Sequence, residues 1–151
     1  MGVKELRQAL ESCHLVALDT MIISYHLANH AHYRPFTQAI LETIESGLTE
    51  GLITTVTLAE ILTRPAQAND RRAMHDYELY LTHFPHLRLV PLDADLARET
   101  ARVRAETGLR TPDAVHVAAA RLHGADAILT NDHLWRKRVH MPAVILLDEY
   151  V

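Results

Sequence analysis

The stretch from Arg110 to Asp132 constrains the chain more than any other, because a helix and a strand follow one another there with a carboxylate at each far end. The run from Ala114 to Leu122 is so apolar that a helix through it has to be buried on most sides. Thr111 reads as its N-cap, Pro112 fits the first helical position, and Gly124 stops it. Ala127, Ile128 and Leu129 then form a short buried strand. At about 1.5 Å per residue the helix carries the chain roughly 17 Å one way, and the strand, at about 3.3 Å per residue, brings it back. Asp113 and Asp132 are therefore expected to meet at one edge of a sheet.

The rest of the chain alternates in the same way. Val3, Leu6 and Leu10 are spaced as on a short amphipathic helix over residues 3–13. Leu15 to Leu18 reads as a central strand that presents Asp19 at its C-terminal end, and Met21 to Tyr25 as a buried helix. His26, His30 and His32 fall close together, and the i, i+4 pair could share a helix face as zinc ligands do. No acid or cysteine completes a set there, so a polar helix end is the plainer reading. A helix from Pro35 to Ser46 turns Phe36, Ile40, Leu41 and Ile44 inward. Leu52 to Val56 is a β-branched strand, and Thr57-Leu-Ala-Glu60 opens the next helix as a capping box. Pro65 to Arg72 reads as a polar loop, Met74 to Phe84 as a helix and Leu87 to Leu92 as a strand. Asp93 caps a helix from Leu96 to Thr107 that Gly108 stops. Past Asp132 come a basic stretch, Trp135 to Arg138, and a last buried strand, Val144 to Leu147. Strands alternating with helices at this spacing predict a three-layer α/β/α fold with a central parallel sheet.

With 151 residues, 48% of them hydrophobic, the chain suffices for one core and is short for two, which predicts a single domain over 1–151. No apolar run approaches 18 residues and the N-terminus lacks the apolar segment of a secretory signal, so a cytoplasmic protein with no membrane attachment is expected. The lone Cys13 cannot form an internal disulfide, which agrees with a reducing compartment. A net charge of −4 excludes a protein that coats nucleic acid through overall positive charge, so any phosphate binding must be local.

Asp19, Glu60, Asp113 and Asp132 obey one rule: each lies just past a strand's C-terminal end or in the opening of a core helix. In open α/β sheets that edge is where ligands bind. Taken singly, Asp113 complements a helix dipole, Glu60 closes a capping box and Asp132 begins a turn. Asp19 is harder to dismiss, since a carboxylate between two apolar runs is costly to bury without a partner. Four carboxylates at one edge repel one another and raise each other's pKa unless something cationic sits between them. No lysine or arginine stands within three residues on the N-terminal side of Asp19, Glu60 or Asp132. A hard divalent cation fits, and oxygen ligands favour Mg²⁺ or Mn²⁺ over zinc. Such an ion can activate water against a phosphodiester. Arg98, Arg102, Arg104, Arg110 and Arg136 to Arg138 could hold RNA phosphates, Arg110 and Arg136 being best placed; Trp135 could stack a base but suits a core as well.

Leu18-Asp19-Thr20, Thr57 to Ile61, Arg110 to Ala120 and Ile128 to Asp132 together resemble, in order and spacing, the PIN-domain ribonucleases, and within them the VapC-like toxins of type II toxin–antitoxin modules. The resemblance spans about Leu15 to Val151. It implies a Mg²⁺- or Mn²⁺-dependent endoribonuclease whose acidic site is Asp19, Glu60, Asp113 and Asp132, with Thr20, Thr130 and Asn131 orienting a ligand or water. It also implies a homodimer held inactive by an antitoxin protein; Tyr25, Phe36 and Leu41 are candidates for that apolar surface, although each suits the core better. The segment up to His14 precedes the first strand where many relatives begin almost directly, which bears on the partner surface and not on the acids. A competing reading is a PIN-like module that binds RNA or protein without cutting; a missing acid would favour it, and none is missing. A response-regulator receiver needs an acidic pair after the first strand and a lysine after the last, and a haloacid-dehalogenase-type phosphatase needs Asp-x-Asp. Asp19-Thr20-Met21 and Asp148-Glu149-Tyr150 supply neither. His116, one helical turn beyond Asp113, is the only imidazole that falls near the acids; set among Val115, Val117 and Ala118, it reads as a core or supporting residue.

Overall fold

A computed structural model describes residues 2–151; Met1, the first residue of the expected domain, lies outside them. In chain order the elements are α1 (Val3–Glu11), β1 (Leu15–Leu18), α2 (Thr20–Leu27), α3 (Arg34–Glu45), β2 (Glu50–Thr54), α4 (Thr55–Gln67), α5 (Arg71–His83) and β3 (Leu87–Val90). There follow α6 (Ala94–Thr107), α7 (Thr111–Leu122), β4 (Ala127–Thr130), α8 (Leu134–Arg138), β5 (Ala143–Leu146) and a 3₁₀ turn at Leu147–Glu149. The five strands form one sheet in the order β3-β2-β1-β4-β5, every neighbouring pair parallel. β1 is central and wholly buried, as its unbroken Leu-Val-Ala-Leu run requires of a strand covered on both faces. Successive residues point to opposite faces: Val16 and Leu18 pack with Leu6, Leu10, Ile22, Ile40, Ile44 and Leu81 on one side. Leu15 and Ala17 pack with Leu96, Val103, Val115, Val117 and Trp135 on the other. This is the expected three-layer α/β/α architecture, with α7 buried from Ala114 to Ala120.

Several boundaries differ from the sequence reading, each for a physical reason. Helix α7 begins one residue earlier, with extended Arg110 as N-cap, Thr111 as the first helical residue and Pro112 as the second. Strand β2 ends at Thr54 and α4 starts at once, so Val56 is helical. Thr57 sits inside the first turn, and its hydroxyl contacts the Thr20 hydroxyl at 2.9 Å in place of a backbone N–H, so no capping box forms. Pro65 does not break α4, which continues two residues past it with the proline ring buried. Helix α5 starts at Arg71 because Asp70 caps it, accepting from the Ala73 N–H at 3.0 Å. Leu41 is buried in the core and Tyr25 and Phe36 pack against it, so these three do not form an exposed apolar surface. His26 is buried, with Nδ1 3.2 Å from the Thr37 hydroxyl, while the His30 ring lies against Tyr25 and Tyr33. Among the described residues no helix is long and apolar enough to cross a membrane.

Candidate acidic site

The pairing of β1 with β4 builds the centre of the site. Leu18 lies opposite Leu129, and the Asp19 N–H donates to the Leu129 carbonyl at 2.9 Å, so the chain leaves both strands side by side. The Thr130 hydroxyl donates to Asp19 Oδ2 at 2.7 Å and accepts from the Asp132 N–H at 3.1 Å. One side chain thereby fixes two of the four acids. Asp132 Oδ1 in turn accepts from the Leu134 N–H at 3.0 Å, which starts α8.

Glu60 arrives from the other side, on the second turn of α4. The Thr20 hydroxyl donates to Glu60 Oε1 at 2.8 Å, tying it to the residue that follows Asp19. Asp113 lies in the first turn of α7, and His116, one turn further on the same helix, reaches beneath the acids. The buried His116 ring has Nε2 3.2 Å from the Thr20 hydroxyl and Nδ1 3.2 Å from the Thr54 hydroxyl. The same Nε2 stands 3.8 Å from both Asp19 and Glu60.

The electrostatics follow from this crowding. Burial raises the Asp19 pKa, with His116 and the Thr130 hydrogen bond opposing it. Asp113 is pushed up to about 6, by burial first and then by the charge of Asp19; His116 lowers it, and Asp132 and Glu60 add to the rise. Glu60 is held below the usual carboxylate range by His116 and by the Thr20 hydroxyl. All four predicted acids therefore share one field.

The predicted supporting residues divide. Thr20 and Thr130 hold the acids as described, whereas the Asn131 side chain turns away from them, its Nδ2 donating to Asp148 Oδ1 at 3.1 Å. Arg110 is exposed beside a pocket whose walls include Asp113, Asp132, Leu134 and Arg138. Arg136 pairs with Glu149 at 2.8 Å, and Arg98 and Arg102 pair with Asp95 and Glu99 along their own helix. Trp135 is fully buried in the core and offers no face to a base. Sequence reasoning placed His116 in a supporting or core position without seeing that it joins two acids. The i, i+3 spacing sets it near Asp113, but its approach to Asp19 and Glu60 depends on elements distant in sequence. Nothing in the sequence marks Thr54 or Asp148 as part of the site, and Thr57 reads there as a helix cap and not as a partner of Thr20.

Among the described residues no three His, Cys, Asp or Glu side chains are grouped tightly enough to hold an ion by themselves. The donors are carboxylate oxygens in an open arrangement. Mg²⁺, which keeps several waters and takes one or two carboxylates, suits such a set better than a closed all-protein cage would.

The sequence profile of the PIN domain matches residues 16–140, from within β1 to beyond α8 and across all four acids. The chain belongs to the PIN-domain family. PIN domains are generally nucleases. Solved structures share this PIN fold at low sequence identity. VapBC2 from Rickettsia felis, crystallised with a DNA fragment from its promoter, matches with a TM-score of 0.68 at 17% identity, over 87% of this chain and 98% of the other. FitAcB from Neisseria gonorrhoeae matches at 0.66 and 21% identity, over 87% and 97%. VapBC-1 from nontypeable Haemophilus influenzae matches at 0.64 and 17% identity, over 89% and 98%. No curated protein sequence matches.

Proposed function

We propose that this PIN-domain protein is a Mg²⁺- or Mn²⁺-dependent endoribonuclease, the toxin of a toxin–antitoxin pair. The observation that carries the reading is the crowding of the acids, Asp19 and Asp132 fixed by Thr130 and Glu60 by Thr20, beside Asp113, whose pKa burial first and then the charges of Asp19, Asp132 and Glu60 push up to about 6 against His116. A cluster held together by hydroxyls and a histidine while its charges repel is arranged for a cation. Asp19, Asp113, Asp132 and Glu60 would hold the ion, which when bound lowers the pKa of water and offsets charge on phosphoryl oxygens. The chain's own part is orientation. Thr130 holds Asp19 and the Asp132 backbone, Thr20 holds Glu60, and His116 braces Thr20 from below. Arg110, exposed at the mouth, is placed to take a phosphate oxygen of the RNA strand. The RNA substrate follows the resemblance of the four motifs to PIN-domain ribonucleases. An antitoxin partner is supported by the complexes of like fold, one of them a toxin–antitoxin complex from Klebsiella pneumoniae. A cytoplasmic homodimer completes the proposal.

Attack by water in line with the leaving oxygen gives 5′-phosphate and 3′-hydroxyl ends. The test is end-group analysis on a structured RNA with Mg²⁺, Mn²⁺ or EDTA, for wild type and Asp19→Asn. Cleavage is expected only for wild type with metal, the variant losing at least about 100-fold, as removal of a transition-state interaction does. Cleavage in EDTA, or a 2′,3′-cyclic phosphate, would overturn the mechanism. Intact RNA with a wild type that still binds Mn²⁺ would favour a non-cleaving binding module.

A further inference from the structure

Asp148 lies beyond the stretch matched by the PIN profile, in the 3₁₀ turn after β5, yet its carboxylate meets three side chains from two other segments, the entry to α3 and the loop between β4 and α8. The Tyr33 hydroxyl, at the entry to α3, donates to its Oδ1 at 2.7 Å. Asn131 Nδ2 donates to the same oxygen at 3.1 Å, and His133 Nε2 lies 2.7 Å from Oδ2. The pairing with Asn131 is reciprocal, because the Asp148 backbone N–H donates to Asn131 Oδ1 at 2.9 Å. Asn131 is thus gripped at both ends of its amide.

The grip matters because of what else holds this loop. The Asn131 backbone N–H is directed at Met21 Sδ, a weak acceptor, at 3.0 Å. Its neighbours are the two residues that shape the acidic site, Thr130 and Asp132. The strong hydrogen bonds that Asn131 makes are those to Asp148.

We propose that Asp148 is a positioning residue for the acidic site: acting through Asn131, it fixes the loop that sets Asp132 against Asp19. This rests on the reading of that site as a divalent-metal nuclease centre. Outer partners of metal-holding side chains commonly change metal affinity or activity by about 10- to 100-fold when removed. Asp148→Ala is therefore expected to weaken Mn²⁺ binding by at least about 10-fold and RNA cleavage by a similar factor.

The exchange Asn131→Asp with Asp148→Asn separates positioning from general stability. It keeps an oxygen for the backbone N–H of residue 148 and reverses the direction of the side-chain bond, so the reciprocal pair survives. Mn²⁺ affinity is measured by calorimetry well below each melting temperature, for wild type, Asp148→Ala, the exchange, and Asp126→Ala. The last removes a carboxylate that accepts from the His14 and Leu15 N–H groups at the opposite end of β1, and serves as a destabilised control. The expected result is weakened binding in Asp148→Ala, near-wild-type binding in the exchange, and no change in Asp126→Ala. Wild-type affinity in Asp148→Ala would overturn the inference, and so would failure of the exchange to recover binding. If Asp148→Ala does not fold, the exchange against Asn131→Asp alone makes the same comparison. A wild type that binds no Mn²⁺ overturns the nuclease reading itself, and the inference with it.

Discussion

At Asp113 the proton carries the information about the site. Its folded pKa of about 6 lies above its ordinary value of 3.8, so between those pH values the folded chain keeps a proton that the unfolded chain has released. Stability from this group is therefore present in full below about pH 3.8, is lost as pH rises toward 6, and stays lost above it. In EDTA, Asp113→Asn should raise the melting temperature at pH 7.5 by a few degrees and change it little at pH 4. Equal effects at both pH values would show that the ionised carboxylate is not strained. The residue scale is also where sequence reading reached furthest and then stopped. Asp19, Glu60, Asp113 and Asp132 stood out because each ends a strand or opens a core helix. His116 stood near Asp113 by its spacing, but its role did not show, because an imidazole among valines and alanines looks the same whether it fills a core or spans two acids. The distinction lies in Thr20 and Thr54, which come from other elements.

Elements whose signals are local were legible. Gly108 ends α6 with φ +71°, and α7, which it leads into, delivers Asp113. An alanine there has to adopt a left-handed conformation, costing about 1–2 kcal/mol. Gly108→Ala should lower the midpoint of urea unfolding accordingly, with no change in slope; an unchanged midpoint would mean that the turn relaxes. Elements whose bounds depend on partners were read less well. Thr57 looked like a cap by its spacing from Glu60, yet Thr20 takes its hydroxyl and α4 begins two residues earlier. Pro65 looked like the start of a polar loop, yet its ring is buried within the last turns of α4.

On the scale of the whole molecule, the sheet order brings the C-terminal ends of β1 and β4 together while α4 and α7 supply the remaining acids. A ligand that binds only this assembled arrangement stabilises it. Mn²⁺ at about 100 times its Kd contributes roughly 2.7 kcal/mol, or about 5–10 °C in melting temperature for a chain of this size. That rise should be present in wild type and absent in the Asp19→Asn, Asp113→Asn double variant. An equal rise in both would move the ion elsewhere. Sedimentation at micromolar concentration tests the proposed homodimer, a strict monomer being the contrary result.

The alternation of strands and helices, the three layers and the four acids at one edge were all legible in the chain, because periodicity, glycine stops and strand ends are written in neighbouring residues. Which hydroxyl holds which carboxylate, the place of His116 between Asp19 and Glu60, and the turn of Asn131 from the acids toward Asp148 emerge only on folding. The Thr130–Asp19 contact joins residues 111 positions apart, and even Asn131 and Asp148 stand 17 apart. Their partners are chosen by how the layers pack, and no local pattern records that choice.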